Sequence, residues 1–248
     1  MKQANHILPV IVIAQFFCTS LWFAGNGVMD DLLQTFTLED TALGNLTAAV
    51  QFGFIVGTLV FAFMMIVDRY SPSKVFLVSA IISAAFNLGI TLDFNNLTSL
   101  LFFRFMTGFA LAGIYPVGMK IAADYFQKGL GRSLGFLVGA LVVGTAFPHL
   151  LKWSAADFPW KAVIFWTSGL SLLGGALIFL LVPDGPFRKP SQRLDLRAAV
   201  RVFEEPGFRS AAFGYFGHMW ELYAFWAFVP VMLTLYLTDH PEVYFNVS

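Results

Sequence analysis

The chain has one cysteine and very little charge. Cys18 stands alone among 248 residues, which excludes an internal disulfide and any cysteine-built metal site. It reads as a buried apolar thiol. Charged residues make up 12%, about half of the roughly 25% usual in a soluble domain. Lys+Arg and Asp+Glu are equal at 15 each, and no basic run is interleaved with aromatics, so nothing points to nucleic acid. A water-soluble chain of this length needs more polar side chains to cover its exterior. Apolar residues are what it has: 58% hydrophobic and 17% aromatic, with 29 phenylalanines. A bilayer removes the need for a polar exterior. The composition is that of an all-α integral membrane protein, because in an open chain only helices satisfy their own backbone in lipid.

Apolar runs long enough for about 30 Å of hydrocarbon fall at Ile7–Val28, Leu43–Val67, Val75–Leu92, Leu97–Ala123, Leu134–Leu151, Ala162–Val182 and Ala211–Leu237. The stretch after Met1–His6 has no small-x-small cleavage site and is expected to be kept as a span. The acidic Met29–Asp40, the tight turn Asp93–Asn96 and the tryptophan-bearing Trp153–Trp160 read as surface separators.

With the N-terminus inside, twelve of the fifteen lysines and arginines lie in cytoplasmic segments, from Lys2 through Arg69 and Lys74 to Arg209. Only Lys152 and Lys161 lie in outer loops, while Arg104 sits within a span. That asymmetry orients the chain in a plasma (inner) membrane. The expected organisation is a six-helix bundle at 1–182, a cytoplasmic linker at 183–209, and a seventh span with a short outer tail at 210–248. In the linker, Pro183-Asp184-Gly185-Pro186 is a helix stop. Leu196, Ala199, Val200 and Phe203 then recur at helical spacing, with Arg193, Arg197 and Arg201 on another face. This fits an amphipathic helix on the membrane surface, or a plain linker.

Polar groups at membrane depth are costly and mark pathways or buried pairs. Gln15, Thr19, Trp22 and Asn26 form one stripe on the first span. Arg104 shares a face of the fourth with Gly108, Leu111 and Tyr115, and His218 and Glu221 share a face of the seventh. The leading helix of each group of three is thus the polar one, as in stacked three-helix repeats around a water-filled path. The same residues would also serve as plain structure: Gln15, Asn26 and Gln51 bonding neighbouring helices, Arg104 in an ion pair, His218 bonding Glu221 at i,i+3. Gly53-x-x-x-Gly57, Gly108, Gly113 and Gly135-x-x-x-Gly139 would permit close helix packing.

At Asp68-Arg69-Tyr70-Ser71-Pro72-Ser73-Lys74 the chain resembles the signature loop of the major facilitator superfamily, Gly-x-x-x-Asp-Arg-x-Gly-x-Arg-Arg. Met64, Ser71 and Ser73 depart from it. Arg104-Phe105-Met106-Thr107-Gly108 is similar to the family's Arg-x-x-x-Gly motif, and Asp124 stands where the family often has an acid facing the signature loop. The runs Ser20–Asn26, Tyr115–Lys120 and Gly217–Glu221 resemble bacterial permeases, in the direction of the cyanate and nitrate branch. Gly139–Pro148 lacks the Gly-Pro pair of the antiporter motif, which leans towards symport or uniport. The resemblance implies a six-helix N-terminal bundle plus a seventh helix, against twelve helices in the family. The expectation is therefore a truncated product or fragment.

The function expected is secondary transport of a small anionic solute by alternating access, coupled to protons. Arg104 would meet the anion, with Gln15, Trp22, Asn26, Tyr115 and His218 orienting it. Glu221, with His218 as neighbour, would take up the proton. Asp68, Arg69, Lys74 and Asp124 would act at a cytoplasmic gate. No enzyme activity, cofactor or metal is expected, and the missing half or a second copy would complete the path. The competing reading is a non-transporting remnant. A retinal protein is excluded by the lack of lysine in Ala211–Leu237, and a G-protein-coupled receptor by its opposite orientation. A membrane enzyme lacks any third ligand beside His218 and Glu221.

Overall fold

The computed structural model describes residues 6–39, 41–154, 159–188 and 201–243, and every regular element among them is a helix. The chain forms two compact units, Met1–Gln192 and Arg193–Ser248. The first holds α1 (Ile7–Thr19), α2 (Met29–Phe36), α3 (Ala42–Phe63), α4 (Ile66–Arg69), α5 (Pro72–Gly89), α6 (Leu97–Leu111), α7 (Tyr115–Tyr125), α8 (Leu130–Ser154) and α9 (Trp160–Leu181). The second holds α10 (Pro206–Asp239). Six stretches are long and apolar enough to cross a membrane: α3, α5, α6 with α7, Leu130–Trp153, α9 and α10. Leu196 to Val200, the core of the expected amphipathic helix, lie outside the described residues. So does Lys2.

The first predicted span is not one helix. α1 stops at Thr19, Ser20–Gly25 runs as turns, and a 3₁₀ turn at Asn26–Val28 leads into α2. Thr19 and Ser20 hydroxyls bond back to the Gln15 and Phe17 carbonyls at 2.8 and 2.6 Å, a local competition that weakens helix continuation. Met29–Asp40, expected as surface, is largely α2: Met29 and Leu32 are buried in a core with Val28, Leu46, Ile90 and Val163. The Asp93–Asn96 turn does stop a helix and start another. Asn95 Nδ2 donates to the Gly89 carbonyl at 2.8 Å, and Asn96 with Ser99 forms a reciprocal cap on α6.

Glycine makes the tightest seam. A Cβ on Gly53 would fall on the Phe105 carbonyl, and one on Gly108 on the Val50 carbonyl, so α3 and α6 touch backbone to backbone. α1 sits on α8 through Gly144 and on α9 through Gly174 in the same way. Gly135 and Gly139 differ: no heavy atom lies within 4 Å of a Cβ placed there, so among the described residues they close no helix contact. Between α5 and α9 the interactions are polar. Asn87 Nδ2 donates to Ser168 Oγ at 2.9 Å and Thr167 Oγ1 at 3.3 Å, and Ser83 and Ser171 hydroxyls lie 3.5 Å apart.

α10 starts at Pro206 with the Glu205 carboxylate accepting the Phe208 N–H at 2.5 Å. At 34 residues it extends about 50 Å, and most of its residues are exposed, Phe213, Trp220 and Leu235 included.

Two glycines should respond with opposite sign. Gly108→Ala drives a methyl into backbone and should cost about 3 kcal/mol, a thermal-unfolding drop of roughly 10 °C. Gly139→Ala has open space and a better helix former, and should leave the midpoint unchanged or raise it slightly. Thermal denaturation of detergent-purified protein distinguishes them.

Candidate functional site

Arg104 is the decisive residue at membrane depth. It lies mid-way along α6 with 1% exposure. Its guanidinium donates to the Leu21 carbonyl at 3.2 Å and, through a very short bond, to the Trp22 carbonyl. Those carbonyls belong to the unwound Ser20–Gly25 segment and would have been engaged in a continuous α1. The break in α1 and the buried charge on α6 therefore satisfy one another. Gly25 permits this approach, since a Cβ there would come within 3.2 Å of Arg104 Nε. Nε itself has no acceptor, and no carboxylate is paired with Arg104 among the described residues. A fork of donors is thus held in a dry place with its positive charge uncompensated.

The other residues of the stripe differ in their surroundings. Gln15 is buried, and neither polar atom of its amide has a partner; the Oε1 faces Gly118 of α7, where no side chain intervenes. Trp22 is buried with its ring 4.6 Å from that of Phe54. Asn26 is half-buried and donates to Thr47 Oγ1 at 2.7 Å. Tyr115 is half-buried at the start of α7. His218 and Glu221 are exposed on α10 in the second unit, three residues apart.

A second cluster lies at the end of the bundle where α4 meets the end of α7. Lys120 Nζ sits 3.3 Å from Asp68 and 3.7 Å from Asp124, so it links two of the expected gate residues. Asp124 is buried and its Oδ2 has no partner. The turn after α9 closes over this cluster. Phe187 N–H donates to the Asp124 carbonyl at 3.0 Å, and Tyr125 hydroxyl donates to the Pro183 carbonyl at 2.5 Å. Ser71 Oγ donates to Asp184 at 2.6 Å, and Arg188 bonds Asp184 and the Tyr70 carbonyl at 2.5 and 2.7 Å. Arg69 and Lys74 are exposed and outside this network. Lys120 and Arg188 were not among the expected gate residues. Their signal was present as i,i+4 spacing: Lys120 to Asp124, and Asp184 to Arg188. At the opposite end, Lys152 pairs with Asp31 at 2.7 Å and Lys161 pairs with Asp93.

The Major Facilitator Superfamily family model matches residues 11–247. The chain belongs to the Major Facilitator Superfamily. Membership makes it a multi-pass membrane protein of a transporter family and no enzyme. The niacin transporter NiaP of Acinetobacter baylyi is 30% identical over 205 residues, covering 74% of this chain and 44% of that protein. The 4-hydroxybenzoate transporter PcaK of the same organism is 23% identical over 192 residues, covering 74% and 40%. In fold, the chain is similar to the crystal structure of a bacterial homologue of the human lysosomal transporter Spinster, in an inward-facing and unoccupied conformation. That likeness has a TM-score of 0.65 at 17% identity and covers 83% of this chain and 49% of the other. The chain therefore spans about half the length of the superfamily relatives it matches.

Removing the Arg104 side chain takes a donor from each of two carbonyls and leaves that of Leu21 with only the 3.4 Å bond from the Ala24 N–H. Arg104→Ala should cost about 3 kcal/mol or more and release the packing of Trp22. The measurement is thermal unfolding together with tryptophan emission, which should shift to the red. Unchanged stability and emission would remove Arg104 from this structural role.

Proposed function

We propose that this chain forms part of a secondary transporter that moves a small organic anion by alternating access, coupled to protons, in a bacterial inner membrane with its N-terminus inside. One observation carries the anion: Arg104 is buried, uncompensated by any described carboxylate, and bonded only to neutral carbonyls. A guanidinium–carboxylate pair adds the attraction of two opposite charges to its hydrogen bonds, which a neutral carbonyl does not supply. A solute carboxylate would therefore displace the Leu21 and Trp22 carbonyls from the guanidinium at a net gain. The unpaired amide of Gln15 supplies one donor pair and one acceptor for a second polar group on the solute. Trp22, Asn26 and Tyr115 shape the approach. The names of the two Acinetobacter relatives support this reading, since niacin and 4-hydroxybenzoate are both ring carboxylates. Neither name points to cyanate or nitrate.

His218 and Glu221 carry the proton in this reading. A carboxylate that crosses a dry intermediate is cheaper to move when neutralised. Asp68, Lys120 and Asp124 form the cytoplasmic gate, with Arg69 and Lys74 at its wet margin. The side assignment rests on the charge asymmetry of the loops.

The test is equilibrium binding of radiolabelled nicotinate and 4-hydroxybenzoate to the protein in nanodiscs, with proteoliposome uptake under an imposed proton gradient. Saturable binding should fall at least about tenfold, roughly 1.4 kcal/mol, in Arg104→Gln. Glu221→Gln should abolish gradient-driven accumulation while sparing exchange. Binding that is indifferent to Arg104→Gln would overturn the anion assignment. Accumulation that survives Glu221→Gln would overturn the proton role.

A further inference from the structure

The fourth span is two helices, and its break borders a cleft. Between α6 and α7, Gly113 and Ile114 make tight i→i−3 bonds to Ala110 and Leu111 at 2.9 and 3.0 Å. Pro116, at the start of α7, has no N–H for the Ala112 carbonyl, and its ring opposes a straight helix through this point. Gly113 fixes the pivot: a Cβ there would collide with Ser79 and the Phe61 ring.

Along the α3 side of the break runs a cleft of about 220 Å³, lined by Phe61, Ala62, Met65, Ala112, Pro116 and Lys120, with Asp68 at its edge. On its other side α7 has no such room. Gly118 is pressed against Gln15 of α1, with Phe76 of α5 close by. The middle of α7 carries Lys120, whose ammonium meets Asp68 across the cleft while both stay partly exposed, 26% and 40% at the side chain. Most of the cleft wall is apolar and gains by closing. The two charges oppose closure, because it would strip their hydration.

We infer that α7 is a hinged lever. It pivots at Ala112–Pro116 towards α3, and the hydrated Asp68–Lys120 pair holds the cleft open. The inference takes its meaning for transport from the gate reading above and rests on it to that extent. The hinge itself is decided by distance, without transport. α7 has 11 residues, about 16 Å of lever, so a bend of about 20° moves its tip about 6 Å.

The experiment is double electron–electron resonance between spin labels at Leu59 of α3 and Ala123 of α7, both exposed, with Cys18 replaced by serine. Asp68→Leu with Lys120→Leu should produce a population about 6 Å shorter. Adding Ala62→Trp, which fills the cleft, should remove it. Adding Pro116→Ala, which restores the backbone donor, should also remove it. Should the double variant not fold, the uncharged polar pair Asp68→Asn with Lys120→Gln gives the same reading. A single unshifted distance in the charge-free variant overturns the hinge, as does a shortening that survives Ala62→Trp. Neither outcome bears on whether Arg104 binds an anion.

Discussion

Inside a bilayer no water is available to complete the hydrogen bonding of a carbonyl or a guanidinium, and each unpaired group there costs several kcal/mol. Two local oddities of this chain answer one another under that constraint. A continuous first helix would leave Arg104 buried with nothing to bond. A broken one beside an apolar residue would take the guanidinium from the Leu21 and Trp22 carbonyls, leaving that of Leu21 with only a long bond from the Ala24 N–H. Together the break and the charge satisfy the rule that each alone violates. The seam between α5 and α9 obeys it more quietly, as Asn87, Thr167 and Ser168 spend their polar groups on each other across the helix interface.

The same physics gives the two charged regions different characters. Arg104 is dry, so its attraction for any anion is little screened and its loss is expensive. Asp68, Lys120, Asp184 and Arg188 are partly wet, and pairs of that kind contribute about 0–1 kcal/mol each. Several of them together, with backbone bonds from Phe187 and Tyr125, still hold the turn after α9 over the end of α7. Weak individual links suit a surface that opens and closes. A deep, costly charge suits one that selects. In the proposed transporter, the buried arginine chooses the solute and the exposed cluster times its release.

Composition alone carried the class, since so few charges leave only lipid as solvent, and the ends of most spans followed from their turn residues. The Asp93–Asn96 turn marked the start of α6, where the structure adds the reciprocal cap of Asn96 and Ser99. What could not be read were properties set by neighbours distant in sequence. Gly108 and Gly139 look alike in the chain, yet one meets the Val50 backbone and the other meets no described atom. The unwinding after Thr19 was hidden because the donor that meets its carbonyls, Arg104, lies 82 residues beyond Trp22. Met29–Phe36 read as surface because Asp30 and Asp31 dominate it, although Met29 and Leu32 on the opposite face complete the core. Lys120 was visible as a cytoplasmic charge, but its place between two acids depends on how α4 folds back beneath α3.

One span links all of these features. α6 bears Arg104, the junction to α7 bears the break, and α7 bears Lys120 and Asp124. Coupling between distant sites needs an element with two arrangements that both sites bias. On the hinge proposed for Ala112–Pro116, the fourth span is such an element. An anion that draws Arg104 from the Leu21 and Trp22 carbonyls acts on its α6 half, and the Asp68–Lys120 pair acts on its α7 half. Gln15 faces Gly118 across the second half while Leu21 and Trp22 hold the first. α1 and the unwound segment after it therefore touch the span on both sides of its pivot, and any rewinding of Ser20–Gly25 alters the ground on which α7 turns.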